Sequence, residues 1–120
     1  MKIKIFSALL IVGKQIISSQ WVDETLKITE ADKMRYLKND VYVKAGIPWI
    51  AYKNFWWILD DEKGEFAAIG IYGQVIYINR SVNLVIAYFS SQPVASSTAS
   101  KNFLSKLNAC RELSKKLLSN

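Results

Sequence analysis

Between Phe55 and Phe89 the chain passes through four apolar runs whose connections are short enough to demand antiparallel neighbours. The first is Phe55-Trp56-Trp57-Ile58-Leu59. It is followed by Asp60-Asp61-Glu62-Lys63-Gly64, which has the acidic and glycine chemistry of a turn. Phe66 to Ile71, Gln74 to Asn79 and Leu84 to Phe89 supply the remaining runs. Arg80-Ser81-Val82-Asn83 joins the last two as a hairpin. The centre of the fold is therefore expected to be an antiparallel sheet of about four strands.

Helices are expected to flank that sheet. In the C-terminal stretch Phe103, Leu107, Cys110 and Leu117 recur at helical steps, with Leu104, Leu113 and Leu118 widening the stripe. Lysines fill the other side, so this helix is expected to lie across one sheet face. Ser90 to Ser100 reads as a Ser-rich connector containing Pro93. Nearer the start, Ser18-Ser19 can cap a helix whose first turn holds Asp23 and Glu24 and whose apolar side is Trp21, Val22 and Leu26. Residues 3–12 read as a short apolar helix stopped by Gly13. Thr29 to Ile47 is mixed and charged without a sustained period, and reads as a loop closed by Gly46 and Pro48. The expected class is α+β, ordered helix, helix, loop, four strands, helix.

Composition sets the scale. With 120 residues the chain is one domain at most, and 51% hydrophobic with 22% charged residues is globular rather than disordered. Four Trp, six Tyr and five Phe are much aromatic surface for so short a chain to hide. That excess suggests a chain built to pack against something it does not contain. The net charge is +6, but Lys101, Lys106, Arg111, Lys115 and Lys116 fall on the polar side of the C-terminal helix. They read as a solvated face, and nucleic acid is not expected as a partner.

One cysteine and no histidine exclude an internal disulfide, a structural zinc site and any Cys–His or Ser–His pair within these residues. No metal and no cofactor is expected. Cys110, on the apolar stripe, reads as a buried structural thiol. Lys2 and Lys4 before Ile5 to Val12 imitate a signal peptide, yet Gly13-Lys14-Gln15-Ile16 offers no small-x-small cleavage site. The run is also shorter than the roughly 20 residues of a spanning helix. No stable membrane span is expected, and a cytoplasmic location is slightly ahead of export.

Several stretches carry a family resemblance. They are Tyr52 to Asp60, Gly64 to Asn79, Leu84-Val85-Ile86-Ala87 and Ser90-Ser91-Gln92-Pro93, with Gly13 to Ser18 and Trp21-Val22 upstream. In that order they resemble the end of serine hydrolases of the β-lactamase and penicillin-binding superfamily. The match is class C β-lactamase-like and nearest the 6-aminohexanoate-dimer hydrolase branch, over about residues 13 to 118. The resemblance implies that residues 1–120 form a single partial domain, the C-terminal part of a β-lactamase-like α/β sheet domain, with 1–12 a non-family start. It also implies amide or ester hydrolysis by a Ser-x-x-Lys serine, with that lysine and a Tyr-x-Asn tyrosine handling protons. A sheet strand would line the pocket and give a backbone N–H to the oxyanion.

By resemblance that strand is Gly70-Ile71-Tyr72-Gly73-Gln74, with the Ile71 amide as donor and the two glycines letting substrate approach the backbone. Tyr72 stands where relatives often carry histidine, which leaves its side-chain role open. The plainer account is an ordinary strand with a tolerated glycine pair. No serine here has a lysine three residues on, and Thr98-Ala99-Ser100-Lys101 is the nearest imitation. Tyr52-Lys53-Asn54 and Tyr77-Ile78-Asn79 fit Tyr-x-Asn by letter but belong to strand regions, so both read as decoys. The expectation is an inactive C-terminal fragment, left by a split or decayed gene, whose partner is a separately encoded N-terminal half. Such a sheet should leave Trp49, Trp56, Trp57 and Tyr72 partly unburied. The alternatives are a non-catalytic interaction module and a small exported basic protein.

Overall fold

The structure, a computed structural model, describes residues 10–11, 14–16, 18–38, 43–44, 46–95 and 101–119. Its elements are β1 (Leu10–Ile11), β2 (Lys14–Gln15), α1 (Ser19–Leu26), α2 (Glu30–Leu37), β3 (Ala51–Lys53), β4 (Trp56–Asp60), β5 (Glu65–Gly70), β6 (Gln74–Asn79), β7 (Leu84–Tyr88) and α3 (Lys101–Leu118). Strands β3 to β7 form one antiparallel sheet in sequence order, a meander. The α+β class with an antiparallel sheet holds, with five strands in place of about four.

The fifth strand is β3, which a two-residue hairpin joins to β4. Lys53 pairs with Trp56, and Asn54 and Phe55 both take positive φ, 48° and 70°. Hairpins of this length favour two left-handed residues because their twist matches that of the strands. Asparagine suits the first position; phenylalanine is a strained choice for the second. The turns after β4 and β6 lie where the sequence puts them. Asp60 accepts from the Lys63 amide at 2.9 Å, Gly64 has φ 61°, and Asn83 closes the Arg80–Val82 turn at φ 52°.

Strand alternation sends side chains to two cores. On one face Leu59, Ala67, Val75 and Tyr77 meet Ile47, Trp49 and the Phe103, Leu107 and Cys110 stripe of α3. On the other, Ala51, Ile58, Phe66 and Ile78 meet Leu26 and Ile28 at the end of α1. Trp49, expected to be partly unburied, is only 3% exposed. It stacks on Trp57 at 4.4 Å and leans on Phe103 at 5.9 Å, which takes it out of water. Trp56 and Trp57 are half-buried and Tyr72 is exposed, as expected. Cys110 is buried and free, and burial raises its thiol pKa.

Other local expectations change. α2 falls in the stretch read as a loop: Thr29 and Asp32 form a reciprocal capping box, and their hydrogen bonds hold the Asp32 carboxyl below its usual pKa. In α1, Ser18 caps the helix by accepting from the Trp21 amide at 3.1 Å, and Val22 and Thr25 are buried while Trp21 faces solvent. Leu113, Leu117 and Leu118 are also exposed, since Ser114 takes the inward position one turn after Cys110. Of the helix read over 3–12, only Leu10 and Ile11 are described. They are extended and pair with β2; the rest lies outside the described residues.

Glu65 opens β5 with its carboxylate buried on the α3 side. Arg111 donates to it twice, Nε to Oε1 at 2.7 Å and a terminal nitrogen to Oε2 at 3.1 Å. The Tyr77 hydroxyl donates to Oε1 at 2.8 Å, so the Ser114 hydroxyl, also 2.8 Å away, donates to Tyr77. A charge removed from water is tolerable only when paired and hydrogen-bonded in this way. Arg111→Ala leaves the carboxylate stranded and is expected to cost about 3–5 kcal/mol in denaturant titration.

Burial, helped by the Glu65 charge, pushes the Tyr77 phenol up to about 12; burial does the same to Tyr88. A folded pKa above the unfolded value of about 10 means stability fully present below pH 10 and lost as pH rises towards 12. Stability followed against pH is expected to fall in that window, and Tyr77→Phe to remove part of the fall.

Candidate functional site

The five residues Gly70 to Gln74 form a chain reversal. Gly70 ends β5, Gln74 begins β6, and the two are the last pair of the ladder. Ile71–Gly73 is a single 3-10 turn in which Tyr72 and Gly73 are left-handed, φ 58° and 85°. The expected substrate strand is thereby corrected to a strand end, a turn and a strand start. A reversal this tight between antiparallel strands requires positive φ, which glycine accepts freely and tyrosine only under constraint.

The constraint comes from the connector after β7. The Ser90 hydroxyl lies 2.9 Å from the Tyr72 carbonyl and 3.0 Å from that of Gly73. The Tyr72 amide donates to the Ala95 carbonyl at 3.1 Å, and the Gln92 amide donates to the Tyr72 carbonyl at 3.3 Å. Gln74 returns a bond from its Nε2 to the Ser90 carbonyl. Both backbone groups of Tyr72 are thus used by residues 90–95. Ile71, at the outer position of the turn, stands 65% exposed.

The two glycines have different reasons to be glycine. A Cβ on Gly73 would lie 2.3 Å from Ser90 Oγ and 2.6 Å from Gln92 Nε2. Its space is taken by this chain's own connector, so it does not admit a substrate. Gly70 has ordinary φ, −103°, and is exposed; a Cβ there would meet Gln74 first, 3.2 Å from its Cβ. The open approach expected of both belongs to Gly70 alone.

Beside Gly70 a groove of about 390 Å³ runs along the end of the sheet, lined by Phe55, Ala68, Gln74, Ile76 and Phe89 among others. Phe55 and Phe89 are 86% and 85% exposed. No carboxylate, lysine or arginine lines it; Gln74 and Tyr52 bring its polar side-chain atoms. The arrangement can receive an apolar chain. It holds no nucleophile paired with a base. Sequence reasoning missed Phe55 and Phe89 as site residues; the Asn54-Phe55 pair between two apolar runs was the available signal for the first.

The Tyr-x-Asn imitations are occupied elsewhere. The Tyr77 hydroxyl is spent on Glu65, and the Asn79 side chain accepts from the Ser81 amide at 3.0 Å. Tyr52 lies against Trp57 at 4.4 Å, Lys53 donates to the Lys27 carbonyl, and Asn54 is a turn residue. Thr98, Ala99 and Ser100 lie outside the described residues. Among the described residues no group of three His, Cys, Asp or Glu side chains could hold a metal ion, and no helix is long and apolar enough to cross a membrane.

No protein-family model matches the chain. It is similar to a hydrolase. Over 81 residues, 68% of its length, it is 30% identical to 6-aminohexanoate-dimer hydrolase of Paenarthrobacter ureafaciens. The match takes in 20% of that enzyme, so the chain spans about a fifth of the length of this curated relative. The similarity supports a hydrolase-like origin.

The contrast between the glycines can be measured. Gly73→Ala is expected to lose about 2 kcal/mol, from the left-handed backbone and the displaced Ser90, and to speed hydrogen exchange at the Tyr72 amide. Gly70→Ala is expected to stay within about 1 kcal/mol of the parent in the same denaturant titration.

Proposed function

We propose that this chain forms the sheet-side wall of a β-lactamase-like serine hydrolase acting on amide or ester bonds, a relation of 6-aminohexanoate-dimer hydrolase. The observation that supports the reading is an apolar groove lined by Gly70 and Gln74, the two residues that flank the exposed Ile71 turn braced by the connector. In the reaction a serine oxygen adds to the substrate carbonyl carbon, and the carbonyl oxygen takes up the negative charge. An N–H fixed in advance stabilises that charge without reorganising, and one such donor is worth about 10²–10³ in rate. Here the Ile71 amide would be that donor, Gly70 would leave the approach open, and Phe55, Ile76 and Phe89 would hold the apolar part of the substrate.

The serine and its base lie outside these 120 residues, because no serine has a lysine three positions on. By themselves these residues would be inactive, and an N-terminal half would bring Ser-x-x-Lys and Tyr-x-Asn. A second reading, a non-catalytic interaction module, draws support from the exposed Phe55 and Phe89.

The purified chain is expected to leave p-nitrophenyl esters and a chromogenic cephalosporin unhydrolysed. Co-expressed with the remaining part of the Paenarthrobacter enzyme, it is expected to restore turnover that a serine-reactive phosphonate blocks. Phosphonate-sensitive turnover by the chain alone would overturn the reading, as would a folded complex without activity. The latter, with a stable isolated chain, favours the interaction module.

A further inference from the structure

Left-handed backbone is open to glycine, tolerated by asparagine and unfavourable for bulkier side chains. Among the described residues that adopt it, Gly46, Gly64, Gly73, Asn54 and Asn83 follow that rule. The exceptions are two aromatics, Phe55 and Tyr72, and both flank one groove. Phe55 lines it, while Tyr72 sits in the turn between Gly70 and Gln74, which line it too. A chain reversal alone would be served better by asparagine or glycine at either place. Residues kept in costly conformations cluster where a chain meets its ligand.

No contact within the chain accounts for the Tyr72 side chain. Tyr77 donates to Glu65, Tyr36 and Tyr52 rest against Trp57, and Lys106 lies 5.5 Å over the ring of Tyr88. Among the described residues Tyr72 has neither a hydrogen bond from its hydroxyl nor a ring partner, and it is 43% exposed. The bonds that hold it left-handed all end on its backbone. Its amide donates to Ala95, and its carbonyl accepts from Gln92 and Ser90. The connector therefore fixes this residue without using its phenol.

We propose that Tyr72 is a substrate-contacting residue, its phenol hydroxyl donating a hydrogen bond to the ester or amide held at the Ile71 amide. The proposal rests on the hydrolase reading and adds a side-chain donor to it. No charged side chain lines the groove beside the turn, so the portion of substrate offered to the phenol is uncharged.

Two substitutions separate the phenol from the turn. Tyr72→Phe keeps the ring and the backbone and removes the hydroxyl. Tyr72→Asn removes the whole ring and suits the left-handed backbone, while the connector's bonds, all to main chain, remain. In complex with the remaining part of the Paenarthrobacter enzyme, each is expected to lower kcat/KM for p-nitrophenyl esters about tenfold, near the upper end of what one neutral hydrogen bond contributes. In denaturant titration of the chain, Tyr72→Phe is expected to leave the midpoint unchanged and Tyr72→Asn to raise it. Stability and turnover then move apart, which a merely structural tyrosine would not allow. Against an active wild-type complex, full kcat/KM in Tyr72→Phe overturns the proposal and leaves the hydrolase reading standing. A midpoint lowered by Tyr72→Asn also overturns it, since the ring would then be packing within the fold. A wild-type complex without turnover overturns the hydrolase reading and the proposal together.

Discussion

Glu65 begins β5 with its carboxylate in the core, where an unpaired charge would be far costlier than any one apolar contact nearby is favourable. Everything that touches it is fixed as a result. Arg111 and Ser114 lie one turn apart on α3, and Tyr77 comes from the neighbouring strand, so one carboxylate ties β5, β6 and α3 in a single geometry. Apolar packing would let α3 slide or rotate over the sheet with modest losses. The forked Arg111 contact does not, because its two N–H groups must meet two particular oxygens. Phe103, Leu107 and Cys110 then fall into place over Trp49 and Tyr77.

Much of this was legible because period and burial agree. The alternation in Phe66 to Ile69 and Val75 to Ile78 survives as two distinct cores, and the stripe through Phe103, Leu107 and Cys110 is the buried face of α3. What was missed lacks that agreement. α2 buries none of its residues completely, so no apolar period announces it; its signal is the local Thr29–Asp32 cap. β3 is too short to show alternation and is declared only by its turn. The stripe of α3 was misjudged at its end, where Leu117 lies beyond the cover of the sheet and a polar residue, Ser114, is the one drawn inside.

At the candidate site, five residues were singled out by resemblance, and the structure changes the account of their two glycines. Two glycines suggest access, yet a glycine can equally mark where the chain has folded back on itself, and Gly73 does so against Ser90 and Gln92. Sequence could not distinguish these cases because the decisive neighbours lie seventeen and nineteen positions away. The connector at 90–95, which reads as a featureless serine-rich link, proves to be the brace that holds Tyr72 left-handed and turns Ile71 outward.

The meander also sets an order of events. Each strand from β3 to β7 finds its partner next in sequence, so the sheet closes through short loops and small entropy losses. α3 comes only afterwards along the chain, beyond the connector. The five strands can pair through local contacts before the helix that covers them docks. During that interval Trp49, Leu59 and Tyr77 face water and Glu65 waits for its guanidinium. Were the sheet to pair before α3 docks, its apolar face would be open to other chains for as long as docking takes.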